Sequence, residues 1–340
     1  MGYHRLHVVQ SLEQLGLGGG EGIHFIVECC ELLGHFWGEI PYQRPHRPCL
    51  GILMVGGLVK GGDIPCDRLA EIVDEAHLQH LYHVQLGGIH WQYLLIFFDC
   101  SRSKKRLELL ENYKANRAET PEDFKVQLPY IKQLTTAWGA ACIERMDVEA
   151  DDLIGTWAHF ASKNKQNVVI LSSDKDLMQC VNPYVHQMIR TPDNWHLLDE
   201  TGVLEKMQVM PEQIVDYLAL VGDSIDHYEG LPGVGPKTAS NWLKQYGSLE
   251  KILQQKDSIE PKRFRPILQE FESRLLRNQT LAKLEIDRQF IPDIQKQVQE
   301  ASRNTSRLKS LLTELNLNNL LKKLNLAEKP INAQQAEFLF

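Results

Sequence analysis

The stretch DVEADDLIGTWAHFASKNKQNVVILSSDKD, residues 147–176, decides the reading of this chain. Its first half sets Leu153, Ile154, Trp157, Ala158 and Phe160 along one side of a helix expected over about 147–162. Its second half carries four aliphatics at 168–171, a short apolar run that reads as a buried strand. Carboxylates crowd the start of that helix at Glu149, Asp151 and Asp152. They crowd the end of that strand at Asp174 and Asp176. Upstream, Tyr93-Leu-Leu-Ile-Phe-Phe-Asp99 is a second apolar run closed by an acid. A helix with Phe124, Leu128 and Ile131 on one face is expected to open at Pro121, with Thr120 as its cap. Strands alternating with helices indicate an α/β domain with a largely parallel sheet, and such sheets gather ligands at the carboxyl ends of their strands.

Downstream, a helix over 211–221 gives way to Gly222-Asp223-Ser-Ile-Asp226. Asp99, Glu149, Asp151, Asp152, Asp174, Asp176, Asp223 and Asp226 would repel one another at one site unless cations sat among them. Glu149 and Asp152 are three apart and share a helix face. An all-oxygen set suits Mg²⁺ or Mn²⁺ rather than zinc, and two such ions about 4 Å apart act on phosphates. One ion would activate a water and the other would stabilise a leaving 3′-oxygen. Lys114 and Arg117 could neutralise the scissile phosphate, and Tyr113 could stack on a terminal base. Singly, each acid has an ordinary reading: Asp223 caps a turn, Asp99 ends a strand. The ordered set is what points to chemistry.

Residues 230–246 read as a tight glycine hairpin entering a helix, with Pro236 in its first turn. Gly233 and Gly235 let backbone N–H groups approach a phosphate, and Lys237 and the helix dipole favour the same anion. A helix–hairpin–helix of this kind grips backbone without reading bases. Lys104, Lys105 and Arg106 begin another basic stretch and are expected to contact DNA. Residues 229–330 hold 18 Lys/Arg against 12 Asp/Glu, a net of +6, whereas the whole chain is −7. An acidic front and a basic back suit a metal site followed by a nucleic-acid grip.

Residues 1–92 differ in composition. They contain no Asn or Thr, one Ser and one Lys, yet 15 of the 23 glycines and 9 of the 13 histidines. Three readings stand: translation from a shifted frame, a fused or divergent segment, or chance bias in a Gly-rich region. The glycines at 16–22 fit no phosphate-loop spacing and read as a flexible loop. His77, His80 and His83 read as an exposed helix face, because no Glu lies between them as in a zinc protease helix. Seven scattered cysteines without a C-x-x-C pair indicate a reduced, cytoplasmic protein without structural zinc. No apolar run reaches the ~18 residues of a membrane span, and no signal peptide is evident.

Residues 93 to about 290 resemble the 5′–3′ exonuclease and flap endonuclease family, above all the exonuclease domain of bacterial DNA polymerase I and stand-alone homologues. The resemblance lies in Phe-Phe-Asp99, Tyr113-Lys-Ala-Asn-Arg117, Val-Glu149-Ala-Asp151-Asp152, Ser-Ser-Asp174-Lys-Asp176, Gly-Asp223-Ser-Ile-Asp226 and Gly-Val-Gly-Pro-Lys237-Thr238. It implies a PIN-like (resolvase-like) α/β nuclease domain over 93–205. An α-helical helix–three-turn–helix DNA-binding domain over 206–290 and a helical tail over 291–340 would follow. It implies divalent metal on the acids, with Asp99 acting through water. Tyr113, Lys114 and Arg117 would lie by a helical arch, and the hairpin would hold duplex DNA with a bound potassium ion. The implied reaction is hydrolysis of DNA at 5′ ends, flaps and nicks during replication and repair, by a stand-alone monomer. The family opens with an apolar strand ending in Asp-Gly, whose Asp is a central metal ligand. Residues 1–92 show no such unit, so the sheet is expected to lack that strand and expose an edge. A weakly active or inactive chain follows.

Leucines at 308, 311, 312, 315, 317, 320, 321 and 324 predict an amphipathic helix packing on the DNA-binding domain. The end, Gln334-Gln335-Ala-Glu-Phe-Leu-Phe340, resembles a sliding-clamp-binding peptide. The rivals to a nuclease are a DNA-structure-binding protein that has lost the site, and a PIN-type ribonuclease. The hairpin argues against the second.

Overall fold

The computed structural model describes residues 50–58, 84–86, 89–115, 122–190, 195–318, 321 and 324. Arg117, the glycines at 16–22, the histidines at 77, 80 and 83, and the clamp-like 334–340 segment lie outside the described residues.

One mixed sheet carries the first domain. Its strands are β1 (Leu50–Leu58), β2 (Val84–Leu86), β3 (Ile89–Asp99), β4 (Ala141–Arg145), β5 (Asn167–Leu171), β6 (Val185–Arg190) and β7 (Trp195–Leu198). The order is β2-β3-β1-β5-β6-β7, with β4 also on β3. The pairs β3–β4 and β5–β6 are parallel, as α/β alternation requires. Leu95, Ile96, Phe97 and Phe98 are all buried, so β3 is covered on both faces, which is why it reads as a continuous apolar run.

Between β3 and β5 the sheet differs from the sequence expectation. The slot is filled, so no edge is left there. β1 occupies it and runs antiparallel to both neighbours, with Leu50 opposite Phe98 and Ile52 opposite Leu171. An apolar segment with backbone groups to pair closes a gap whatever its direction, because antiparallel ladders pair at least as well as parallel ones.

The helix Ala150–Lys163 covers the sheet with Leu153, Ile154, Trp157, Ala158 and Ala161, all buried against Leu95, Phe97, Ile143 and Ile170. A second, helical unit holds Ile214–Val221, Pro236–Tyr246, Leu249–Gln254, Phe264–Glu270 and Glu272–Ala282 around its own core. The chain then returns to the first domain. Ile291, Ile294 and Val298 of the helix Ile291–Glu300 pack into the sheet's core. Leu308, Leu311, Leu312 and Leu321 pack on Leu134 and Ala137 of the helix Glu122–Trp138. That corrects the expectation for the leucine-rich tail. Its apolar face covers the nuclease-side helix, not the hairpin unit, and Asn304 N–H donates to Ala137 O at 2.8 Å to fix the approach.

Candidate active site

Four segments bring acids to the end of the sheet where β3 and β5 terminate. Asp99 ends β3, and its Oδ1 accepts from Ala150 N–H at 2.7 Å, capping the helix that carries Glu149, Asp151 and Asp152. Asp174 follows β5 through Ser172-Ser173. Its Oδ1 accepts from Asp176 N–H at 3.0 Å, a local turn that holds the two acids close together. Asp223 lies in β8 (Gly222–Asp223), paired antiparallel with β9 (Tyr228–Glu229). Its Oδ1 accepts from Ile225 N–H at 2.8 Å, which folds the loop and turns Asp226 inward. Gly222 and Gly230 make this ribbon possible. Gly222 has φ +82°, and a Cβ on Gly230 would stand 2.3 Å from Leu220 O.

Cations are built into the cluster. Arg106 is 5% exposed, and its guanidinium spans Asp152 with Nη1–Oδ2 at 2.6 Å and Nη2–Oδ1 at 2.7 Å. It also donates to Glu149 Oε2 at 3.0 Å and to the carbonyls of Leu281 and Lys283. Glu285 N–H adds a further bond to Asp152 Oδ1. One expectation is corrected here: Arg106 is a buried internal clamp and not an exposed DNA contact, and Asp152 is the carboxylate it holds. The i, i+3 geometry of Glu149 and Asp152 is as read from sequence, but the charge it meets is a guanidinium.

Lys114 is 3% exposed, with its Nζ 2.7 Å from Glu149 Oε2 and 3.9 Å from Asp226 Oδ2. Its backbone takes φ +55°, and its N–H donates to Asp226 O, tying this segment to the Asp223 loop. The Tyr113 hydroxyl lies 3.0 Å from Asp226 Oδ2 and 3.3 Å from Glu149 Oε2, while the side chain is 1% exposed in the second core. A ring enclosed this way offers no face to a base, so the expected stacking role is corrected as well. Burial, then Glu149 and Asp226, push the phenol well above its ordinary pKa and keep it a donor. Lys175 Nζ sits 2.9 Å from Asp223 Oδ2.

Two carboxyls carry the residual strain of like charge. Burial and then Asp174 raise Asp151 well above the usual carboxylate range, and the same two causes raise Asp176. Asp176 Oδ1 is enclosed and has no hydrogen-bond partner among the described residues. Among those residues no three His, Cys, Asp or Glu side chains are arranged to hold an ion as drawn; Lys114 and Lys175 supply the positive charge. The donor set nevertheless fits a hard divalent cation. It is all oxygen, it is rich in carboxylate, and it contains an enclosed oxygen with nothing to accept from.

Sequence reasoning missed two residues of this site. Gln187 on β6, fully buried, donates from Nε2 to the carbonyls of Ser172 and Asp174 at 2.8 and 2.7 Å and so holds the Asp174 loop. Its strand, VHQMIR, mixes polar and apolar residues and gave no local signal that this Gln is buried. Tyr228 closes the far side of the cluster, and its only signal was its closeness to Asp226 in sequence.

At the hairpin, Gly233 takes φ +78°, and a Cβ on Gly235 would meet nothing within 4 Å. The helix Pro236–Tyr246 starts immediately behind, with Lys237 exposed and Thr238 half-buried. Lys104 and Lys105, also exposed, pair with Asp147 and Glu285.

Residues 79–208 match the family model described as 5′–3′ exonuclease, N-terminal resolvase-like domain. Residues 209–307 match 5′–3′ exonuclease, C-terminal SAM fold. The chain is 41% identical over 172 residues to DNA polymerase I of Rhizobium leguminosarum, covering 51% of this chain and 17% of that protein. It is 43% identical over 162 residues to a 5′–3′ exonuclease of Aquifex aeolicus, covering 48% and 55%. It is 35% identical over 243 residues to the thermostable DNA polymerase I of Thermus thermophilus, covering 72% and 28%. The matches thus span from 17% to 55% of these relatives' lengths. Among solved structures, the bacteriophage T5 D15 flap endonuclease with DNA and metal ions is similar in fold. It matches with TM-score 0.50 and 23% identity, covering 64% of this chain and 82% of that one.

Proposed function

Because the chain belongs to the 5′–3′ exonuclease family, we propose that it is a DNA-binding nuclease. It acts on 5′ ends, flaps and nicked duplexes, and its phosphodiester hydrolysis requires Mg²⁺ or Mn²⁺. One observation carries this reading: acids from four separated segments share a site at the ends of β3 and β5, and one enclosed oxygen there has no donor among the described residues. Asp151, Asp174, Asp176, Asp223 and Asp226 are the residues to hold the ions, with Asp99 behind them. Divalent ions bound there would polarise the phosphate and acidify a water. Lys114 pairs with Glu149, and its ammonium would become available to a phosphate if a bound cation neutralised that carboxylate. Gly233, Gly235, Lys237 and Thr238 grip duplex backbone, with a potassium ion at the hairpin as part of the proposal.

A second reading, DNA-structure binding with little or no hydrolysis, is favoured by β1. A parallel strand in that slot would end between Asp99 and Asp174 and deliver its last residue there. β1 instead starts there, at Leu50, and its sequence LGILMVGGL carries no acid. Nor do residues 43–49 just before it. Among the described residues, the strand in that slot therefore brings no carboxylate to the centre of the site. Loss of a group in direct contact with the ion should slow hydrolysis on the order of 100-fold or more. A 5′-labelled flap incubated with Mg²⁺, with Mn²⁺ and with EDTA tests both. Metal-dependent cleavage slower than that of a stand-alone exonuclease is expected. Equal rates would reject the impairment, and binding without any metal-dependent cleavage would leave only the second reading.

A further inference from the structure

Tyr228 is 4% exposed, and its hydroxyl has no hydrogen-bond partner among the described residues. It stands directly across the β8–β9 ribbon from Asp223. The acidic charges that act on it are, in order, Asp176, Asp223, Asp226 and Asp174. Asp176 Oδ1 is likewise enclosed without a partner. A hydroxyl that can donate and an oxygen that can only accept are thus both shielded from water within the acid cluster, and neither bonds to a described residue. Leaving either buried and unsatisfied is unfavourable. Tyr113 makes the contrast. Its hydroxyl, in the same cluster, already reaches Asp226 at 3.0 Å, so its bonding is complete as it stands.

We infer that the Tyr228 hydroxyl is a positioning group for a divalent cation on the Asp176–Asp223–Asp226 side of the cluster, hydrogen-bonding to water that the ion keeps. Mg²⁺ and Mn²⁺ in carboxylate sites keep several waters, and a neutral phenol is suited to orient one without adding charge. The ion satisfies Asp176 Oδ1, and its water satisfies Tyr228. The inference rests on the metal reading above and adds a residue to it.

Tyr228→Phe keeps the buried ring and removes only the unpaired oxygen. Mn²⁺ is titrated into the full chain and free Mn²⁺ is read by electron paramagnetic resonance, alongside thermal melting in EDTA. Tyr228→Phe should bind Mn²⁺ roughly tenfold more weakly. Its melting point without metal should be unchanged or higher, because no bond is lost there. Tyr113→Phe should behave oppositely in EDTA and melt lower. Undiminished Mn²⁺ affinity in Tyr228→Phe would overturn the inference. So would a lower metal-free melting point, which would show that the hydroxyl already has a structural partner. Failure of the unsubstituted chain to bind Mn²⁺ would instead reject the metal reading, and Tyr228's role with it.

Discussion

Arg106 and Lys114 come from one basic stretch, and burial gives both a task that their charge alone does not announce. Arg106 is surrounded by two carboxylates and two carbonyls that join the start of the Ala150–Lys163 helix to the segment Leu281–Lys283. Arg106→Ala would leave Asp152 and Glu149 buried without that charge. It should destabilise the fold by about 3–5 kcal/mol, read from urea unfolding. A shift below about 1 kcal/mol would mean the carboxylates find water. Asp176 gives a pH signature. Its folded carboxyl is raised by burial and by Asp174, so the protonated form is favoured in the fold. Its stabilising effect is fully present below the ordinary carboxylate pKa and is lost as pH rises through the raised folded value. In EDTA the unsubstituted chain should therefore lose stability relative to Asp176→Asn over the range from the ordinary carboxylate pKa up to the raised folded value. Added Mg²⁺ should stabilise the unsubstituted chain at the upper end of that range and leave Asp176→Asn nearly unchanged. Parallel melting curves for the two proteins across the range would contradict this.

At the scale of elements, periodicity and punctuation read well. The helix expected over 147–162 is Ala150–Lys163, the strand at 168–171 is Asn167–Leu171, and the helix after the hairpin begins at Pro236. These segments have apolar faces matched to their period and are bounded by capping residues or glycine. β1 could not be read. Its run contains three glycines and no acid, and nothing local states which way an apolar run will lie in a sheet. The hairpin is legible because one glycine is required by geometry, Gly233 holding φ +78°, while the space in front of Gly235 is open, so the lack of a side chain there leaves the backbone accessible. Lys237 is exposed at the start of that helix, where a phosphate would sit. Lys237→Ala should weaken DNA binding by a similar factor for all sequences and reduce the salt slope by about 1. An unchanged slope would place the duplex elsewhere.

At the scale of the whole molecule, the chain leaves the sheet domain, builds the helical unit and comes back. Leu284, Ile291, Ile294 and Val298 complete the sheet's core, and the tail helix Thr305–Glu314 closes on Glu122–Trp138. Leu311 is fully buried there, so Leu311→Ala should cost about 2–4 kcal/mol in chemical unfolding. DNA binding at the hairpin should persist at temperatures below the lowered melting point. A variant with unchanged stability would show that the tail does not pack as described. The sequence by itself determined the family, the alternating elements, the acids in their order and the glycine hairpin that enters a helix. Each of these is written in residues close along the chain, through period, capping and glycine geometry. Only the tertiary structure decided which charges meet. It gave Asp152 to Arg106 and Glu149 to Lys114, enclosed Tyr113 and Tyr228 among the acids, and filled the slot between Asp99 and Asp174 with a reversed strand. The physical reason is that ion pairing, desolvation and strand direction depend on distances between segments far apart in sequence, which no local pattern encodes.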